Sequence, residues 1–208
     1  MTCGRTGAVR GTFDGAAAVR GRGHMRTRRL GRQALVFLAA AAAFSSPAAA
    51  AEASCAHASA VPSHLSTRAA SHALLCLVND ARRAHGLPPV GYERHLGAAA
   101  RRHADDMAAH DFFDHVSPST GTMESRVQHT GYLRSARAWS LGEAIAWGTA
   151  RAGRPRTILK GLLASPPHRA ILLDPGFRDL GVGVAHGAPS GSDAGALTVA
   201  LDFGSVQR

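Results

Sequence analysis

Three residues with acid–base chemistry stand in otherwise small or apolar stretches of this 208-residue chain. His115 lies in Phe112-Phe113-Asp114-His115-Val116-Ser117-Pro118, where two aromatics anchor the base of a loop and leave the imidazole at a fixed exit. Glu143 lies in Gly142-Glu143-Ala144-Ile145-Ala146-Trp147-Gly148, a carboxylate at the edge of an apolar run. His168 lies in Ser165-Pro166-Pro167-His168-Arg169, where two prolines restrict the backbone just ahead of the ring. An imidazole can accept a proton near neutrality or ligate a metal; a carboxylate can act as base, ligand or buried acceptor. Ser165, three residues before His168, adds a hydroxyl that could act as a nucleophile beside a base. Each residue also has a structural reading. Of the 12 histidines only His24 falls in the leader, and a lone imidazole is more often structural than catalytic. His64, His72, His85, His95, His103, His110, His129 and His186 are assigned that way, with His103 on the core face of a helix. For Glu143 the equivalent is a buried acceptor for backbone amides or Arg169. No HExxH helix, nucleophile-elbow pattern or second nearby carboxylate accompanies the three.

The elements that must position these residues follow from periodicity. Leu74, Leu75, Val78 and Ala81 recur at helical spacing, which predicts a helix over 71–85 capped by Ser71 and stopped by Gly86. After Gly86-Leu87-Pro88-Pro89, a second helix from Glu93 to about His110 carries Leu96, Ala100, His103 and Met107 on one face. A short helix opened by Thr122 and ended by Gly131, a buried strand over 141–147 and a helix over 155–163 with proline in its first turn come next. Residues 180–185 and 197–203 are short, β-branched runs joined by the Gly/Ser/Pro stretch 187–195, a hairpin with a long connection. Helices come first and strands last, so the fold class is α+β, with helices packed on a small antiparallel sheet.

The net charge of +10 invites a nucleic-acid reading until its location is examined. Arg5, Arg10, Arg20, Arg22, Arg26, Arg28, Arg29 and Arg32 face only Asp14 before residue 52, a net of +7 that leaves +3 for the remainder. Those later charges are interspersed, as on a solvated surface, and nucleic acid is set aside as a partner. From Met25 the chain reads MRTRRLGRQ, then ALVFLAAAAAF, then SSPAAAAEA: a cationic start, an apolar run and small residues, which together form a secretory signal peptide. The run is too short to span a bilayer, which needs about 20 residues. The chain thus divides into an over-long start region (1–24), a signal peptide (25–51), an N-terminal arm (52–70) and a folded domain (71–205), with no stable membrane span after cleavage. With Cys3 in the leader, Cys55 and Cys76 remain, an even count suited to one disulfide in a secreted, monomeric protein; two unpaired thiols are the alternative.

Five ordered segments also resemble a known family. FFDHVSP resembles the first histidine segment of bacterial CAP (SCP-like) domains, GEAIAWG their glutamate segment, and SPPHRAILLDPGFRDLGVGVA their second histidine segment with its following strand. LCLVNDARRAHGLPPV and LDFGS fall in the expected order at either end. The resemblance, over about Cys55 to Ser205, implies a three-layer α-β-α sandwich with His115, Glu143 and His168 around one open cleft and Ser165 at a fourth polar position. Ala144, Ile171 and Leu162 stand where the family commonly has two asparagines and a tryptophan. Facing imidazoles of His115 and His168 would make a weak zinc site, with Glu143 either completing the shell or fixing a ring from behind. The favoured function is a non-catalytic extracellular or cell-envelope module that binds an unidentified ligand such as lipid or cell-wall material. The alternative is a secreted hydrolase (peptidase, esterase or cell-wall-acting) using Glu143, a histidine or Ser165.

Overall fold

A computed structural model describes residues 55–191 and 195–208, together with the backbone of 2–3 and 7–12; the signal-peptide segment lies outside the described residues. The N-terminal arm belongs to the core. Cys55, Ala58 and Leu65 are buried, and Cys55 is bonded to Cys76 at a sequence separation of 21, tying the arm to the first helix as the cysteine count predicted.

That helix, α1 (Thr67–Ala84), begins a turn before the predicted start because Ser66, not Ser71, caps it by accepting from the Ala69 amide. Helix α2 (Arg94–Ala109) is opened by the Glu93 carboxylate, which accepts from the Leu96 amide. Helix α3 (Met123–Thr130) has Thr122 as its cap and ends at Gly131 in the left-handed region. Helices α4 (Pro155–Ala164) and α5 (Pro166–Leu172) meet at Ser165. The sequence reading missed α5. Its paired prolines occupy the first helical turn, where their missing amides cost nothing and their fixed φ suits the helix.

The strands are β1 (Thr2–Cys3), β2 (Gly7–Thr12), β3 (Gly91–Tyr92), β4 (Ala138–Thr149), β5 (Asp179–His186) and β6 (Ala196–Gln207). The central trio β4-β6-β5 is antiparallel, with β6 between its neighbours; β1 and β2 lie along the outer side of β4. The two-residue β3 pairs parallel with the start of β5, so the sheet is mixed rather than purely antiparallel. One face carries Ala144, Ala146, Val182, Val184, Val199 and Leu201 against α1, α4 and α5. The opposite face carries Ile145, Ala185 and Ala200 against Ala100, Ala104 and Met107 of α2. The result is the three-layer sandwich. Among the described residues, no helix is long and apolar enough to cross a membrane.

Candidate functional site

Glu143 is the centre of the site. It lies on β4, directly opposite Asp202 on β6 and on the sheet face covered by α2 and α3. Only 1% of it is exposed, and both carboxylate oxygens are engaged. The His115 Nδ1–H donates to Oε1 at 2.6 Å, and the Arg126 guanidinium donates to Oε2 through Nη2. Arg126, itself buried on α3, also donates through Nη1 to the backbone carbonyls of His115 (3.2 Å) and Gly121 (2.7 Å). One cation therefore neutralises the carboxylate and clamps the loop that bears the imidazole.

Asp106 of α2 secures that loop from behind. It accepts from the hydroxyls of Ser117 and Ser119, and Ser117 and Gly121 bond to each other across the turn. Burial would raise the Asp106 carboxyl, but the two serine hydrogen bonds and nearby His110 hold it below the usual range. The His115 ring is thereby fixed from three directions. Its Nε2 is buried without a hydrogen-bond partner, at a cavity of about 230 Å³ lined by His115, Val116, Thr122, Met123, Glu124, Leu141 and Glu143.

Three titratable groups beneath the surface divide the charge unequally. Burial alone would raise the Glu143 carboxyl, but the His115 hydrogen bond and the Arg126 charge overcome it and keep Glu143 ionised. Asp202, completely buried beside that charge, is pushed well above the carboxylate range, first by burial and then by Glu143. Among the described residues neither of its oxygens has a hydrogen-bond partner, a burial that a neutral carboxyl tolerates better than an ionised one. Burial lowers His103 to about 4, which the attraction of Glu143 only partly offsets. Its Nε2 is 3.8 Å from Glu143 Oε2, and its ring is tilted against Phe112. His103 is therefore a neutral core residue that also borders the site.

Sequence reasoning named His115 and Glu143, and the structure brings them together. As a structural reading it offered backbone amides or Arg169 as the partners of a buried Glu143; Arg126 takes that role, while Arg169 reaches His85. It missed Arg126 and Asp202. An aspartate inside the apolar run LTVALDF was a signal that could have found Asp202; Arg126, in the polar helix MESRVQHT, had none.

His168 is buried on α5, with its Nδ1 2.8 Å from Ser165 Oγ. The neighbouring Ile171 and Leu172 pack on the sheet face opposite Glu143, so α5 does not carry His168 to the His115–Glu143 pair. Ala144, Ile171 and Leu162, the three departures from the family pattern, are all buried in this same apolar layer. Among the described residues, the one group of three potential metal donors within 4.8 Å of one another is Cys55, Cys76 and Asp80, whose sulfurs form the disulfide. At the cleft, His115 Nε2 is well placed as a ligand atom, whereas both Glu143 oxygens are already bonded. Glu143 thus fits the ring-fixing role better than that of a metal ligand.

Comparison with known proteins agrees with this architecture. A family model described as the cysteine-rich secretory protein family (CAP) matches residues 75–202. Two Bacillus subtilis proteins, the uncharacterized protein YkwD and the uncharacterized membrane protein YlbC, are each 32% identical over 107 and 111 residues. Those matches cover 51% and 53% of this chain but only 39% and 30% of the relatives, so the chain spans well under half of their length. A crystal structure of an extracellular SCP-domain protein from Bacillus anthracis superposes with a TM-score of 0.55 at 26% identity, covering 68% of this chain and 41% of that one. An outer surface protein of Borrelia burgdorferi shares the fold at a TM-score of 0.56 and 14% identity, over 69% of this chain and 97% of its own.

Proposed function

The chain belongs to the cysteine-rich secretory protein (CAP) family, and on that premise we propose that it works outside the cell as a ligand-binding module rather than as a hydrolase. The signal-peptide pattern and the Cys55–Cys76 bond support export, and the extracellular description of the Bacillus anthracis SCP-domain protein is in keeping with it. Lipid or cell-wall material is the class of ligand such a location offers.

The observation that carries the non-catalytic reading is the state of Glu143. A general base must reach the proton it removes and have an open lone pair to take it. Glu143 is ionised, but His115 and Arg126 occupy its two oxygens in a pocket nearly closed to water. The cleft is left with the rigidly held Nε2 of His115, suited to accepting a hydrogen bond from a ligand or to contributing a single protein ligand to a weakly held zinc ion.

Hydrolysis is the second reading because Glu143 orients His115 as a carboxylate orients a catalytic imidazole. The cavity offers one hydroxyl as nucleophile, Thr122, and that oxygen is used as the α3 cap. Ser165 contacts His168, but as a residue three positions earlier in the same helical turn.

The discriminating experiment assays the purified chain against ester, peptide and peptidoglycan substrates. No turnover above background is expected; turnover that falls at least about tenfold in Glu143→Gln would reverse the assignment. In parallel, heat in a zinc titration by calorimetry should disappear in His115→Ala and persist in His168→Ala, because α5 and His115 lie on opposite sheet faces. Heat unchanged in His115→Ala removes that imidazole as its source.

A further inference from the structure

Strand β5 has an incompletely covered outer edge. At its start, the amides of Gly91 and Glu93 bond to the carbonyls of Arg178 and Leu180, and within the strand Leu180 thus directs its carbonyl away from β6. The same alternation turns the N–H and C=O groups of Val182 and Val184 outward. Beyond Tyr92, however, the chain leaves the edge to enter α2, and among the described residues no strand continues alongside. Both valines line a groove of about 830 Å³ with Leu75, Ser71 and the half-exposed ring of Tyr92. Such an edge is a template for another strand.

The rim of the groove is cationic. Arg68, Arg83, Arg101 and His72 line it, and among the described residues no aspartate or glutamate does. Arg83 pairs with Asp80, and Arg101 faces Asp105 one turn along α2, so the remaining attraction is centred on Arg68 and reinforced by the other two. The chain's own N-terminal region, with eight arginines before residue 52, is the wrong charge to occupy it. An acyl chain would match the apolar floor but leave the outward backbone groups of Val182 and Val184 without partners, an unfavourable burial for peptide groups.

We propose that this groove, separate from the Glu143 cleft and on the other side of the sheet's central strand, binds an extended acidic peptide that adds to β5 as a short strand. Backbone hydrogen bonds to Val182 and Val184 would supply register, the apolar floor would take alternate side chains, and the arginines would select carboxylates.

The test uses a fluorescein-labelled Asp-Val-Asp-Val-Asp-Val hexapeptide and the purified chain, read by fluorescence anisotropy. Saturable binding below about 1 mM is expected, weakened by added salt. N-methylation of alternate peptide amides, which keeps the charge and side chains but deletes the edge donors, should weaken binding at least about tenfold. The exposed-residue variant Arg68→Glu/Arg101→Glu should do the same while leaving the zinc response of the histidine cleft unchanged, so the two sites are read independently. Absence of hexapeptide binding, equal binding of the N-methylated peptide, or laurate binding in place of the peptide would overturn the proposal.

Discussion

Glu143 retains a charge where there is almost no water to solvate it, and Arg126 is the reason it can. Burying one ion of such a pair without the other is far more costly than burying neither. Arg126→Met, which keeps the bulk of the side chain and deletes the charge, should therefore destabilise the fold by about 3–5 kcal/mol in urea unfolding. Glu143→Gln in the same background should recover a good part of that loss, because the surviving partner no longer carries an uncompensated charge. A loss below about 1 kcal/mol in Arg126→Met would mean that solvent already screens the pair. This pairing also marks the limit of what single residues disclose. His115 and Glu143 are conspicuous because their neighbours are apolar, whereas Arg126 sits among Glu124, Gln128 and His129 in a helix that reads as solvated. Its burial comes from where α3 is placed against β4, which no local spacing encodes.

At the level of elements, periodicity located α2, α3, α4 and the β5–β6 hairpin, because one apolar stripe or one alternating run specifies each. The N-terminal boundary of α1 was misplaced because Ser66 and Ser71 are equally good caps by composition, and only the packed arm selects the first. The glycines of β5 had a meaning that the strand reading did not use. In Leu180-Gly181-Val182-Gly183-Val184 the valines face α1, while the glycines face α2. A Cβ on Gly181 would meet the backbone of Leu96 and Gly97, and one on Gly183 the backbone of Ala100 and Arg101. Neither position can yield by rotating a side chain, so α2 would have to lift away from the sheet. Gly183→Ala is predicted to cost about 1–3 kcal/mol or more, and the displacement of α2 would also pull on the Asp106 bonds that hold the His115 loop. Thermal unfolding and the amide shifts of 115–121 measure both effects. Unchanged stability together with unshifted loop resonances would contradict so close a helix–strand contact.

Across the whole molecule, the site makes stability depend on pH through two groups that oppose each other. His103 is lowered from 6.5 to about 4 in the folded state, so from pH 6.5 downward the unfolded chain binds the extra proton and acidification destabilises. The full contribution is present above about pH 6.5, is lost progressively towards pH 4, and amounts to about 3 kcal/mol at most. Asp202 acts in the other direction. Its folded value is raised above 3.8, so above that pH the folded protein holds a proton that the unfolded chain releases, and stability falls as pH rises. Glu143, held below 4.5, adds stability that begins to be lost as pH falls to about 4.5, so it steepens only the acid end of this range, in parent and variant alike. Between pH 4 and 6.5 the His103 and Asp202 effects partly cancel, and the intact protein should show a shallow dependence. Asp202→Asn replaces the protonated acid with a neutral amide of similar shape that has no proton to lose. The variant should therefore gain stability at pH 7 and lose it more steeply than the parent on acidification to pH 4.5, as the His103 contribution is unmasked. Urea unfolding at pH 7, 5.5 and 4.5 gives both slopes. Parallel slopes, or a less stable variant at pH 7, would show that Asp202 is ionised in the folded protein and that Arg126 serves two carboxylates rather than one.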